Sequence, residues 1–463
     1  MSRLIAVSNR VASLSQDAPS GGLAVGVLAA LHGSDGGLWF GWSGETTEAV
    51  DRKVSEVQEG DVHLVTTDLP SDAFDDYYNG FCNGCLWPLH HYFPGTFRYR
   101  ASEYDAYLRI NRCFAESLLG LLRDDDVIWV HDYQLIPLGS FLREAGIKAR
   151  IGFFLHIPYP NIAVLRLLPP YAQLVKAMCA YDLIGFQTDE DLDGFKSAVK
   201  KVYADEAVEE NGGLFIAGRH LDTGVFPIGV DVDVVKAQAE RAAREDPLVG
   251  RLSEGLIGRK LLLGVDRLDY SKGLVERFNA YRGLLETHSE LQGRVTFIQI
   301  APLSRLSVAA YADIRDSLER TAGHINGKFA DTDWTPIRYL NRDFSHQTLS
   351  GFLRCADVGV VTPLRDGMNL VAKEYVASQD PEAPGALVLS TLAGAALELT
   401  AALLVNPYDE GAMAKALQQA LAMPLAERRD RYEDMMRALL AYPIDRWHRS
   451  FVARLKSNRL PAE

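Results

Sequence analysis

The feature that most constrains this chain is a rhythm. Short runs of Val, Ile, Leu and Phe alternate with longer amphipathic stretches, in two successive series. Apolar runs too short for helices, and without polar alternation, read as strands buried on both faces; helical stretches between them supply parallel crossovers. In the first half the clearest strands are 4–8, 127–131, 151–156 and 183–187. In the second they are 261–265, 295–301, 358–362, 386–390 and 403–406. Each series predicts its own doubly wound sheet, which places the chain in the α/β class.

A length of 463 residues exceeds what one core normally serves, so two domains are expected. Val225-Phe226-Pro227-Ile228-Gly229-Val230 reads as a strand with turn chemistry, and the segment 237–251 after it is charged and helix-like. The hinge is therefore placed near residue 230, with one Rossmann-like domain over 1–230 and a second over 231–442. Helical periodicity runs through 413–455 and breaks at Pro443, so residues 443–463 are expected to form a helical tail packed back on the first domain. Doubly wound sheets bind ligands beyond the carboxyl ends of their strands, and a pair of them takes the ligand in the cleft between domains.

The net charge of −13 disfavours nucleic acid and anionic membrane surfaces, which call for a broad positive face. An anionic ligand must then be held by a few placed cations. No apolar run approaches the ~20 residues that span a bilayer. Five cysteines are too sparse for a disulfide framework and fit a reducing, cytoplasmic setting. Cys82 and Cys85 form a C-x-x-C without the second pair a zinc ribbon needs, so a structural role is expected and no metal is assigned.

Three loops beyond strand ends could carry chemistry. Ser8-Asn9-Arg10 ends the first strand, and Ser20-Gly21-Gly22-Leu23 precedes the helical stretch 24–31. Adjacent glycines at a helix N-terminus let backbone N–H groups approach a phosphate, although many such turns hold no ligand. After 261–265 comes Asp266-Arg267-Leu268-Asp269-Tyr270-Ser271-Lys272-Gly273. A guanidinium and an ammonium five residues apart can converge on one diphosphate, or can be plain surface ion pairs. The stretch Thr362 to Glu374 joins a strand end, a Gly-containing turn at Asp366-Gly367 and a helix start, directing backbone N–H groups outward. Glu374 on the first turns can accept two hydroxyls of a ribose, or simply balance the helix dipole. A G-x-G-x-x-G turn with a ribose-binding acid is missing after the first strand, which weighs against an NAD-dependent oxidoreductase.

Asp366 to Glu374, together with Arg267 to Gly273, resembles the nucleotide-sugar motif of the trehalose-6-phosphate synthase family, whose fold is GT-B. The likeness continues in order through Ser8-Asn9-Arg10, Gly21-Gly22-Leu23, Gly37 to Gly44, Leu86-Trp87-Pro88, His131-Asp132-Tyr133, His156-Ile157-Pro158, Ile325 to Lys328 and Asn406-Pro407-Tyr408. It covers at least residues 1 to 450.

The resemblance implies a metal-independent, retaining transfer of glucose from a nucleoside diphosphate glucose, UDP-glucose before others, to glucose 6-phosphate, with no cofactor. By that likeness Arg267 and Lys272 grip the donor diphosphate, helped by Gly22 and the backbone of Met368, Asn369 and Leu370, while Glu374 holds the ribose. Asp366 and His156 contact the donor glucose, and these two with Arg267 and Lys272 form the catalytic set. Arg10, Tyr78, Trp87, Asp132 and Arg305 form the acceptor pocket, where Trp87 taken alone would more often be core and Tyr77 adjoins Tyr78. The chain departs from the family pattern at Asn161-Ile162-Ala163, where a polar turn and a Glu are usual. That departure leaves glycerol 3-phosphate open as an alternative acceptor, and a catalytically silent nucleotide-sugar-binding paralogue is the reading from another class. Expected partners are small-molecule substrates and further copies of the chain in a homo-oligomer, with no nucleic acid and no membrane.

Overall fold

The structure is a computed structural model and describes residues 2–11, 22–34, 37–48, 54–210, 212–303 and 309–457. Its described residues fall into two compact units. One runs to Ile228 and resumes at Ile444; the other spans Gly229–Pro443.

The first unit is built on a ten-stranded sheet of β1 (Leu4–Arg10), β2 (Gly37–Thr47), β3 (Val54–Glu59), β4 (Val62–Pro70), β5 (Val127–His131), β6 (Arg150–Phe154), β7 (Leu183–Phe186), β8 (Ala207–Glu210), β9 (Gly213–Ile216) and β10 (Arg219–Val225). The order is β3-β4-β2-β1-β5-β6-β7-β10-β9-β8. Seven central strands pair in parallel, while β3 at one edge and β9 and β8 at the other run antiparallel to their neighbours. The second unit has a wholly parallel sheet of β11 (Lys260–Val265), β12 (Val295–Ile300), β13 (Ile337–Leu340), β14 (Val358–Val361), β15 (Ala386–Ser390) and β16 (Leu403–Val405). Its order is β13-β12-β11-β14-β15-β16. Strands β5, β12 and β15 are buried along their whole length, because helices cover both faces of such sheets.

Some of the strands that sequence alone did not single out lack continuous apolar runs. β3 carries two Val, one half-buried position and a row of exposed ones, as an edge strand can. β10, Arg219–Val225, is mostly polar, yet four of its residues are buried between neighbours. The strand expected over 225–230 ends at Val225. Beyond it Phe226 N–H still donates to Phe186 O, and the Ile228 N–H is satisfied by the Gln187 side chain at 3.0 Å rather than by a strand. The helix-like segment 237–251 is two helices, Val232–Glu245 and Pro247–Leu256, because Pro247 ends the first and the Asp246 carboxylate caps the second through Leu248 N–H. The C-terminal region holds three helices, Glu410–Ala422, Leu425–Ala441 and Ile444–Ser457, broken at Pro424 as well as Pro443.

The last of these helices completes the core of the first unit. Trp447, Phe451 and Leu455 are buried. The Phe451 ring lies parallel to Trp129 at 4.7 Å and edge-on to Phe154 and Phe226 at 5.9 and 5.2 Å. Space for it exists because β6 and β7 carry Gly152 and Gly185 beneath it: a Cβ at either would stand 2.8 Å from the Phe451 ring. Arg454 adds a two-pronged ion pair to Asp222, at 2.8 and 2.5 Å. Truncating Phe451 to Ala should therefore cost about 3–5 kcal/mol of the first unit's stability in urea unfolding. A loss below about 1 kcal/mol would mean the tail is not part of that core.

Candidate active site

In the second unit the residues singled out from sequence lie just beyond the ends of β11, β14 and β15. Asp266 follows β11 and keeps its N–H in the ladder through Ile300 O. Arg267 then turns into solvent. Asp269, fully buried, accepts from Ser271 N–H at 2.9 Å and from the Tyr311 hydroxyl at 2.9 Å, which closes the short 3₁₀ turn Tyr270–Lys272. Gly273 follows with a φ of 64°, and a Cβ there would sit 2.3 Å from Thr362 O, so only glycine fits this turn. The Lys272 ammonium reaches Asp366 Oδ2 at 2.6 Å. Asp366 also accepts from the Asn369 side chain at 3.0 Å. Asn369 adopts the left-handed conformation, φ 72°, and its Oδ1 accepts from Ala372 N–H at 3.3 Å, capping the helix Leu370–Ser378. Asn tolerates this backbone better than other non-glycine residues. Met368 is buried and its carbonyl is held by Ala395 N–H at 2.8 Å.

Glu374, half-buried on that helix, faces His346 Nε2 at 3.3 Å, and His346 Nδ1 meets Gln238 Oε1 at 2.9 Å. Its hydrogen bond to Glu374 raises the His346 pKa above the ordinary value, against the opposing effect of burial. One residue earlier, Lys373 is fully buried and ion-paired to Glu398 at 2.7 Å; burial lowers its pKa despite that partner.

Beneath this loop cluster lies Arg277, fully buried in the first turn of the helix Leu274–Thr287. It donates to Asp266 Oδ2 at 2.6 Å, to Gln299 Oε1 at 2.8 Å, to Thr362 Oγ1 at 3.0 Å and to Lys272 O at 3.3 Å. One guanidinium thus ties the ends of three neighbouring strands to the backbone of Lys272. Burial lifts the Asp266 carboxyl pKa, and the charge and hydrogen bond of Arg277 oppose that lift. Sequence reading passed over Arg277, though a cation in a helix's first turn works against the dipole and so asks for a carboxylate partner.

In the first unit the remaining residues surround the ends of β1, β5 and β6. The Arg10 guanidinium lies over the Trp42 ring at 5.5 Å. Tyr78 is half-buried, stacked on Phe74 at 5.6 Å and tilted against Trp42 at 6.3 Å, whereas Tyr77 is fully buried with its hydroxyl on Asn9 Oδ1 at 2.5 Å. Tyr78 is thus the one of the two with surface to offer. Trp87 is buried against His91 and Tyr133, with ring centres 4.0 and 5.7 Å away. Asp132 carries a φ of 74°, and its carboxylate accepts from His156 N–H at 3.2 Å. A positive φ on Asp costs free energy and recurs at functional loops. The His156 ring packs among Phe154, Trp447 and His131; burial pushes its pKa down to about 3, so it is neutral at physiological pH. Gly22 starts the helix Gly22–His32, while Arg305 lies outside the described residues. Cys82 and Cys85 are free thiols within the segment Asp76–Leu86. Among the described residues no cluster of His, Cys, Asp and Glu is arranged to hold a metal ion, and no helix is long and apolar enough to cross a membrane.

Two parallel-rich sheets with cations and helix N-termini gathered beyond their strand ends define a glycosyltransferase of the GT-B class. Within it the chain belongs to glycosyltransferase family 20, whose model matches residues 5–457. Trehalose-6-phosphate synthase of Salmonella typhi is 46% identical over 457 residues, covering 98% of this chain and 95% of that protein. The structure of a UDP-forming alpha,alpha-trehalose-phosphate synthase from Burkholderia xenovorans in complex with glucose-6-phosphate superposes with a TM-score of 0.94 at 48% identity, covering 98% of this chain and all of that one. A structure from E. coli bound with UDP-2-fluoro glucose superposes with a TM-score of 0.94 at 46% identity, covering 99% of this chain and all of that one.

Removing only one partner of the buried Arg277–Asp266 pair strands a charge. Arg277→Met should cost about 3–5 kcal/mol in thermal or urea unfolding. Arg277→Met combined with Asp266→Leu should recover most of that loss, and a double variant no more stable than the single one would contradict the pairing.

Proposed function

We propose that the enzyme transfers the glucosyl unit of UDP-glucose to glucose 6-phosphate, forming α,α-trehalose 6-phosphate and UDP with retention at the anomeric carbon. The observation that carries this reading is the donor loop cluster: an exposed guanidinium, an ammonium fixed by Asp366, and a helix N-terminus opened by left-handed Asn369, all in one unit. The ligands named for the two solved relatives, glucose-6-phosphate and UDP-2-fluoro glucose, supply the substrate pair.

In this reading Arg267 and Lys272 neutralise the diphosphate as charge builds on its leaving oxygen. Lys272 has three donors, so it can keep Asp366 and still reach a phosphate. Asp366, held by Lys272 and Asn369, and neutral His156 fix the donor glucose, and Glu374 takes the ribose hydroxyls. Gly22 and the backbone of Met368, Asn369 and Leu370 face the phosphates. Arg10 and Arg305 hold the acceptor phosphate, Tyr78 and Trp87 offer apolar surface to the acceptor sugar, and Asp132 accepts from one of its hydroxyls. The C1–O bond to the diphosphate breaks as the acceptor oxygen bonds C1 on the same face. The acceptor hydroxyl proton passes to the departing phosphate oxygen. Side-chain cations carry the charge, so the proposal calls on no metal. Free thiols and an acidic surface suit a cytoplasmic enzyme.

Mass analysis of products from UDP-glucose with glucose 6-phosphate or glycerol 3-phosphate tests the reading directly. A disaccharide phosphate is expected with the first acceptor, and a glucosylglycerol phosphate alone would overturn the acceptor assignment. Because Arg267 is exposed, Arg267→Ala should lower kcat/KM for UDP-glucose by about tenfold or more with an unchanged Tm. Parent-like kinetics would remove Arg267 from the diphosphate grip. Arg305→Ala should raise the KM for glucose 6-phosphate and leave that for UDP-glucose alone; an unshifted acceptor KM would take Arg305 out of the pocket.

A further inference from the structure

One histidine beside the site has no role in the scheme above. His131 closes β5, is fully buried, and sets its Nδ1 3.2 Å from Nε2 of His156. Its own Nε2 is buried and meets no hydrogen-bonding atom among the described residues. The ring lies against Trp129 at 4.4 Å and near Trp447 at 6.3 Å, so its surroundings are largely aromatic. Burial lowers the pKa of both histidines, that of His131 further through the neighbouring His156. Neither ring is charged at neutral pH.

A neutral imidazole owns one N–H, so across this contact one ring donates and the other accepts. If His156 donated from Nε2, His131 would have to keep its proton on its own Nε2, a buried donor with no acceptor. If His131 donates from Nδ1, the orphan is only a lone pair. Buried orphan N–H groups are the rarer and costlier of the two.

We infer that His131 donates its Nδ1–H to His156 Nε2 and so fixes His156 as the Nδ1–H tautomer, which gives the donor sugar a hydrogen-bond donor rather than a base. His131 is thus a positioning residue: it touches no substrate and acts through the ring it orients, as second partners of functional histidines do. The consequence for the sugar rests on the proposed function, whereas the tautomer itself does not.

The test is long-range 1H–15N spectroscopy on the unliganded enzyme with labelled histidine, His156 being assigned by the signal lost in His156→Gln. Protonated and unprotonated ring nitrogens separate clearly in 15N shift. The expected result is a proton on His156 Nδ1; a proton on Nε2 would overturn the inference. His131→Leu removes the donor at nearly constant burial, while His131→Asn restores an N–H close to the lost Nδ1. With folding checked by thermal unfolding, the Leu variant should lose the single Nδ1–H tautomer and raise the KM for UDP-glucose about tenfold, leaving the acceptor KM unchanged. The Asn variant should recover both properties. A Leu variant with the parent's tautomer and donor kinetics would refute the role. If the tautomer is as expected but no glucosyl transfer occurs with the parent enzyme, the proposed function alone has failed.

Discussion

A single buried guanidinium underlies the arrangement of the second unit's loops. Strand ends in a parallel sheet point their last polar groups toward the ligand side, and those of β11, β12 and β14 converge on Arg277, which donates to all three. The same side chain holds the carbonyl of Lys272, so the residue proposed to grip the donor diphosphate rests on a buried network. Low dielectric makes such a network strong when complete and costly when broken. Arg267, one residue beyond the anchored Asp266, is exposed, which suits a cation that must meet a ligand. Rigid support below and an accessible charge above are what a preorganised anion site needs.

Backbone strain marks both units at comparable places. Asp132 after β5 and Asn369 before the helix Leu370–Ser378 are non-glycine residues with positive φ. Each is held by surrounding bonds: Asp132 by the ladder to Phe154 O and by His156 N–H, Asn369 by its own cap to Ala372 N–H and by Asp366. Strain of this kind persists only where neighbours over-determine it. His156 and Glu374, close by, are in turn oriented by His131 and His346, neutral in the first pair and with a raised pKa in the second.

Much of the architecture was legible because fully buried parallel strands leave continuous apolar runs, as at 127–131, 295–300 and 386–390. Edge and polar strands such as β3 and β10 left no such trace, since half of an edge strand faces water and β10 owes its burial to flanking elements. The loop motifs were legible for a different reason. Residues such as Gly273 and the Asp366–Glu374 stretch are dictated locally, by a positive φ that favours glycine and by a helix start. Arg277, Gln299, His346 and His131 were not legible, because each matters only through a partner far off in sequence: Arg277 meets Thr362 85 residues away, and His131 meets His156 25 away.

The sequence by itself determined the alternation of strands and helices, the two-domain partition near residue 230, and which loops carry cations and turn glycines. All of these follow from short-range periodicity and backbone sterics. Only the tertiary structure decided that the C-terminal helix, expected from sequence to pack on the first domain, does so over Gly152 and Gly185, that Tyr78 rather than Tyr77 has surface to offer, and which buried side chains orient the ones in the site. Those outcomes depend on which distant surfaces come together and on how much water is excluded between them, and no local pattern encodes either.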